Sequence, residues 1–182
     1  MIKGKCFERK RFEQQEVEGQ SFSECRFVGC NFSWLDLAEC RFVDCSFYER
    51  ERELGCQLQG CDLREASFLR CDLILADFSR SQCLGLEMRD CQAMGINFAH
   101  ANFDGCLLER CELGGNRWQG ASLLGASLAG SDLSGSEFGQ IDWTSFNLQG
   151  CDLRQCDLPG LDLRRVNLDG VQINEEQQQG LL

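Results

Sequence analysis

The sequence predicts an all-β protein that winds as a solenoid of five-residue units, and three observations lead there. A large apolar residue recurs at every fifth position: Phe7, Phe12, Val17, Phe22, Phe27, Phe32, Leu37, Phe42 and Phe47, then, after one slip, from Leu58 to Ile173 without another. Of these 33 centres, 12 are Phe and 14 are Leu. The residue two before the centre is most often small, and that slot takes twelve of the 14 cysteines: Cys25, Cys30, Cys40, Cys45, Cys56, Cys61, Cys71, Cys91, Cys106, Cys111, Cys151 and Cys156. A strict period of five matches neither the 3.6 of a helix nor the alternation of a long strand. A short bridge followed by a corner fits it.

Along the chain, each unit reads small-in, polar-out, large-in, turn. Gly stands two after the centre in 14 of 33 units, where a corner uses its access to positive φ. The first turn carries Lys3, Lys5, Arg9, Lys10 and Arg11, charges that discourage strand addition at an open solenoid end. Lys5, Lys10, Gln15 and Gln20 occupy the small slot, so a tight core is expected to begin near Phe22. Between Phe47 and Leu58 the phase slips, which marks residues 48–55 as a loop. The segment 174–182, with Leu181 and Leu182 after a run of Glu and Gln, reads as a short cap helix or an apolar dimer seam. The whole of 1–182 reads as one domain of about eight turns if four units, twenty residues, make one turn.

The repeated Cys-Asp-Leu at 61–63, 71–73, 151–153 and 156–158 resembles the pentapeptide repeat proteins. That resemblance implies a right-handed quadrilateral β-helix. Four stretches, 47–56, 83–95, 109–118 and 130–138, resemble the Qnr subgroup, with the loop after Phe47 and Asn116-Arg117-Trp118 the more specific pieces. Members of that subgroup protect DNA gyrase and topoisomerase IV from quinolones as DNA mimics, and the resemblance implies those partners and C-terminal pairing into a homodimer. A second, longer loop of the subgroup has no counterpart in the unbroken phase from Leu58 to Ile173.

Composition narrows the function. With 29 acidic against 18 basic residues the formal net charge is −11, which repels nucleic acid and anionic lipid. No stretch approaches the apolar length of a membrane span, and the charged N-terminus has no apolar signal region, so the expectation is a cytoplasmic protein with free thiols. Cys71, Cys91, Cys111 and Cys151 fall on one face at multiples of twenty, a straight column that cannot converge tetrahedrally on zinc. The one imidazole, His100, falls at a corner facing solvent. No phosphate loop is present, so no enzyme, cofactor or metal is expected.

Acid placement is the informative surface feature. Asp72, Glu112, Asp132 and Asp152 stack on one face, interrupted by Gln92, at a coil spacing of about 4.8 Å. They are candidate partner-binding residues, together with Tyr48, Glu49, Arg50, Glu51, Arg52, Glu53 and Leu54 of the loop, which a rod of repeated faces needs to tell partners apart. The rival expectation is a β-helix scaffold in which the charges serve solubility alone.

Overall fold

The computed structural model describes residues 1–162 and 164–180, so Leu163, Leu181 and Leu182, and the seam expected of the last two, lie outside the described residues. Its elements are β1 (Ile2–Lys3), β2 (Cys6–Glu8), α1 (Gln14–Val17), β3 (Ser21–Ser23), β4 (Arg26–Val28), β5 (Arg41–Val43), β6 (Tyr48–Glu49), β7 (Leu54–Gly55), β8 (Ser67–Leu69), β9 (Glu87–Arg89), β10 (Leu107–Glu109) and α2 (Glu175–Gly180). The architecture is the expected all-β quadrilateral β-helix. Its first face is a parallel sheet ordered β1-β3-β5-β8-β9-β10, which holds about five turns. Isolated bridges at Leu107–Ser127 and Ser127–Asn147 carry that stack further. On the second face, parallel pairing runs from Cys6 through Arg26, Ser46, Asp72, Gln92, Glu112, Asp132 and Asp152 to Gln172.

Register follows from the inward residues. Phe22 stacks on Phe42 at 5.2 Å and Phe42 on Phe68 at 4.8 Å, rings within 9° of parallel. The step from Phe42 to Phe68 includes the six-residue insertion and still pairs in register. Two thin centres, Cys83 and Ala93, are offset by Leu86 and Ile96 in neighbouring small slots, and all four are fully buried. Volume is conserved along the coil even where the pattern is not.

The slot prefers Cys and Ser for a reason that spacing alone does not show. Its side chain donates to an interior carbonyl of the coil below, as from Cys40 Sγ to Val17 O at 3.1 Å and from Ser131 Oγ to Leu108 O at 2.8 Å. Ala packs there without that bond.

Corners repeat one geometry. In most, the N–H three after the centre donates to the centre's carbonyl, as from Cys40 to Leu37 and Ser131 to Leu128. The residue before it has positive φ, the pattern of a type II turn. Glycine is common there but not required: Glu39, Arg80 and His100 adopt φ of 59°, 60° and 59°.

The N-terminal coil departs from expectation. The core begins earlier than Phe22, since Phe12 and Val17 are both buried. Lys10 escapes its inward slot by reaching Glu16 at 2.7 Å, its ammonium 5.3 Å from the Phe12 ring centroid. The fourth face opens with the single helical turn α1 instead of a bridge. There the Gln14 side chain stands in for a strand: Nε2 donates to Asp36 O and Oε1 accepts from Asp36 N–H, both at 2.8 Å.

At the other end, Asn174 and Gln177 exchange backbone-to-side-chain bonds of 2.9 and 2.8 Å that open α2. Gln177 Nε2 also donates to Leu153 O and Cys156 O at 2.8 and 3.0 Å, which fastens the helix to the coil. No described helix is long and apolar enough to cross a membrane.

Candidate partner-binding surface

The loop is built, not irregular. Tyr48 pairs with Gly55 and Glu49 with Leu54, so β6 and β7 form an antiparallel hairpin standing on the coil. Across its turn Arg52 Nη1 meets Glu49 Oε1 at 3.0 Å. Gly55 is required where the hairpin rejoins the rod, because a Cβ there would lie 2.2 Å from Leu75 O. Leu54 folds back, its Cδ2 3.1 Å from where a Cβ on Gly29 would stand. Between the hairpin and the first coils lies a cleft of about 720 Å³ lined by Glu8, Arg9, Arg26, Glu49, Arg50 and Arg52.

The acidic column exists as a column. Ser46, Asp72, Gln92, Glu112, Asp132 and Asp152 pair successively in parallel, and the hairpin leaves the rod two residues after Ser46. Loop and column are therefore one continuous surface. Their charges are not equivalent, however. Glu112 and Asp132 are exposed. Asp152 is held by Arg154 through Nε at 3.0 Å and Nη2 at 2.6 Å, and that guanidinium keeps its carboxyl below the usual carboxylate range. Asp72 is half-buried, and burial raises its pKa against the opposing pull of the Ile74 N–H and of Arg50 in the loop. The column thus presents two open charges, one half-buried and one paired.

Many of these outward carboxylates also serve the fold. Oδ1 of Asp72, Asp132 and Asp152 accepts the N–H two residues on, at 3.2, 2.8 and 3.0 Å. Asn31, Asn97, Asn102 and Asn147 make the same bond on other faces. It is an Asx turn, which either residue supplies.

Elsewhere some acids are paired with arginine. The corner after the first face carries Asp44–Arg70 at 2.7 Å and Asp90–Arg110 at 2.8 Å, one coil apart. Sequence reasoning missed Arg154, although its signal was present: Asp-Leu-Arg recurs at 62–64, 152–154 and 162–164, with the first and last also paired. It missed Leu75 and Met94 too, both exposed at the corner following the column. His100 is exposed as expected, its ring over Gly120. All 14 cysteines are free, and Cys6 alone among them is exposed. Burial pushes the thiols of Cys61 and Cys151 up to about 12.

Comparison with known proteins agrees with this architecture. A family model described as pentapeptide repeat region matches residues 61–138, and a second, pentapeptide repeats (8 copies), matches 21–49 and 147–175. The quinolone resistance pentapeptide repeat protein QnrB96 of Scandinavium goeteborgense is 38% identical, the match covering 64% of each chain. The pentapeptide repeat protein QnrB4 of Escherichia coli is likewise 38% identical, over 66% of each. The chain thus spans just under two thirds of the length of these curated relatives. The solved structure of full-length QnrB1, a plasmid-mediated fluoroquinolone resistance protein, is 35% identical, with a TM-score of 0.52 over 98% of this chain and 96% of that one.

Proposed function

Since the chain belongs to the pentapeptide repeat family and is Qnr-like within it, we propose that it is a DNA mimic that binds DNA gyrase or topoisomerase IV and protects it from quinolones. One observation carries the reading: the hairpin and the column of Asp72, Glu112, Asp132 and Asp152 form one continuous surface on a rod of net charge −11. Carboxylates on coils about 4.8 Å apart, with one coil skipped at Gln92, offer a basic groove a line of negative charge, as a phosphate backbone does. The rod competes with DNA instead of joining it. The hairpin, from Tyr48 through Glu49, Arg50, Glu51, Arg52 and Glu53 to Leu54, supplies the irregular shape that distinguishes one basic groove from another. Two chains pair through their C-terminal segments, which doubles the length of the acidic surface. The protein works in the cytoplasm, without a cofactor and without catalysis.

The test is gyrase supercoiling and topoisomerase IV decatenation in the presence of a fluoroquinolone, with and without the protein. Protection should fall in the variant Asp72→Asn, Glu112→Gln, Asp132→Asn, Asp152→Asn, in which each Asn keeps its Asx-turn acceptor, and association should slow and lose salt dependence. Association rates equal to the parent's across several salt concentrations would remove the column from the interface. Tight, salt-sensitive binding of the protein alone to duplex DNA would reverse the mimic reading.

A further inference from the structure

The corner that follows the acidic face carries apolar side chains where the fold asks for none. At successive coils Gly95, Gly115 and Gly135 hold its positive-φ position at 66°, 65° and 67°. Leu75 takes the same conformation, φ 56°, although its Cβ disfavours it. Its side chain is 42% exposed, beside Met94 and Leu54 at 41% each. Glu39, Arg80 and His100 take that conformation at other corners, so the backbone does not set Leu75 apart; a large apolar side chain left part in water beside the acidic face does. These side chains are also held. Leu75 Cδ2 lies 2.7 Å from where a Cβ on Gly95 would stand, as Leu54 lies over Gly29, so each glycine leaves a seat for the leucine. Seated side chains lose less freedom when a partner arrives.

We propose that Leu54, Leu75 and Met94 are the apolar anchor of the topoisomerase interface, and that the segment they receive is a basic amphipathic helix of that enzyme. This rests on the topoisomerase reading above. Two features select the occupant. Asp72 shares a coil with Leu75, and Glu112 and Asp132 continue along the same face, so the segment needs Lys or Arg beside its apolar residues. Leu75 and Met94 stand on successive coils, about 4.8 Å apart in rise, while a helix advances about 5.4 Å per turn, so apolar residues at i, i+4 and i+7 meet successive coils. Work is then divided: the acids steer encounter, and the apolar strip sets how long the complex lasts.

The experiment compares the full chain with the double variant Leu75→Asn, Met94→Gln by surface plasmon resonance on gyrase and on topoisomerase IV at two salt concentrations. Asn tolerates positive φ, so thermal melting should not fall. Dissociation should quicken at least tenfold while the salt slope of association stays unchanged. Should the double variant melt lower, Leu75→Gly, the residue one coil on, carries the same expectation. Unchanged dissociation, with a parent that binds, overturns the anchor and leaves the acidic interface standing. A parent that binds neither enzyme overturns both. Self-association of the parent that disappears in the variant, with enzyme dissociation unchanged, gives the strip to a second copy of this chain and overturns the proposal.

Discussion

Raising the pH should unfold this rod through its thiols. Burial, the largest cause in each case, pushes Cys61 and Cys151 up to about 12 and Cys156 up to about 11. In the unfolded chain the same groups ionise near about 8.5. The unfolded state therefore releases protons first, so stability is full below about pH 8.5 and falls as pH rises toward the folded values. At pH 10 each unfolded thiol gains about 1.5 log units of ionisation that its native counterpart hardly shares, or about 2 kcal/mol. The three together cost about 6 kcal/mol, comparable with the whole stability of an ordinary domain at about 5–15 kcal/mol. Urea midpoints measured between pH 7 and 10.5 check this against the triple variant Cys61→Ser, Cys151→Ser, Cys156→Ser. Serine suits the slot, since Ser81, Ser131 and Ser136 already donate there at 2.8, 2.8 and 3.0 Å, as the three cysteines do. The variant should lose about 6 kcal/mol less than the parent between pH 7 and 10. Alkaline limbs that run parallel would refute the reasoning.

Asp72→Asn should raise the melting temperature at pH 7, because burial has raised that carboxyl's pKa; the gain closes as pH falls below about 4, where Asp72 is itself neutral. Asp152→Asn should do the opposite, losing at most about 1 kcal/mol above pH 4 with its Arg154 partner, and equal shifts for the two variants would contradict the assignment. Phe27→Ala, between Phe7 at 5.3 Å and Phe47 at 4.7 Å, should cost about 3–5 kcal/mol in urea unfolding, whereas a cost below about 1 kcal/mol would mean that the stack collapses to fill the hole. Gln177→Ala removes two bonds to the last coil and should cost about 1–2 kcal/mol, seen as faster amide exchange at Leu153 and Gln172; unchanged exchange there would show that α2 does not hold the coil.

The period of five was enough to place every inward residue from Phe22 to Leu161, because each coil stacks on its neighbour at a fixed twenty residues and the pattern repeats before noise accumulates. The insertion after Phe47 was legible for the same reason, as a slip of phase. Lys10 and Gln15 misled the reading of the first coil, since spacing records where a residue stands and not that a long side chain bends out to Glu16 or Glu13. The candidate site divides likewise. Stacking of Asp72 through Asp152 is a matter of register and was visible. Pairing of Asp152 with Arg154, the half-burial of Asp72 and its approach to Arg50 depend on rotamers and on how the hairpin leans, which no periodicity encodes.

The Asx turn separates what the fold demands from what the charge adds. Many corners take an acceptor at the outward position, and Asn31, Asn97, Asn102 and Asn147 show that a neutral amide supplies it as well as a carboxylate. Choosing Asp over Asn therefore leaves the turn itself intact, and each face is open to being charged or neutral independently. The third and fourth faces mix the two, with Asn97 one coil from Asp77 and Asn102 two coils from Asp62. On the second face no outward position from Cys6 to Gln172 is Asn, and the acceptors at 72, 132 and 152 are all Asp. Solubility alone would be served by acids scattered over every face, and it gives no reason for the Asx-turn acceptors of one face to be Asp throughout. The use of that surface for its charge, as proposed above, gives that reason. The hairpin emerges from this same face, so the one departure from the repeat and the one face without Asn coincide.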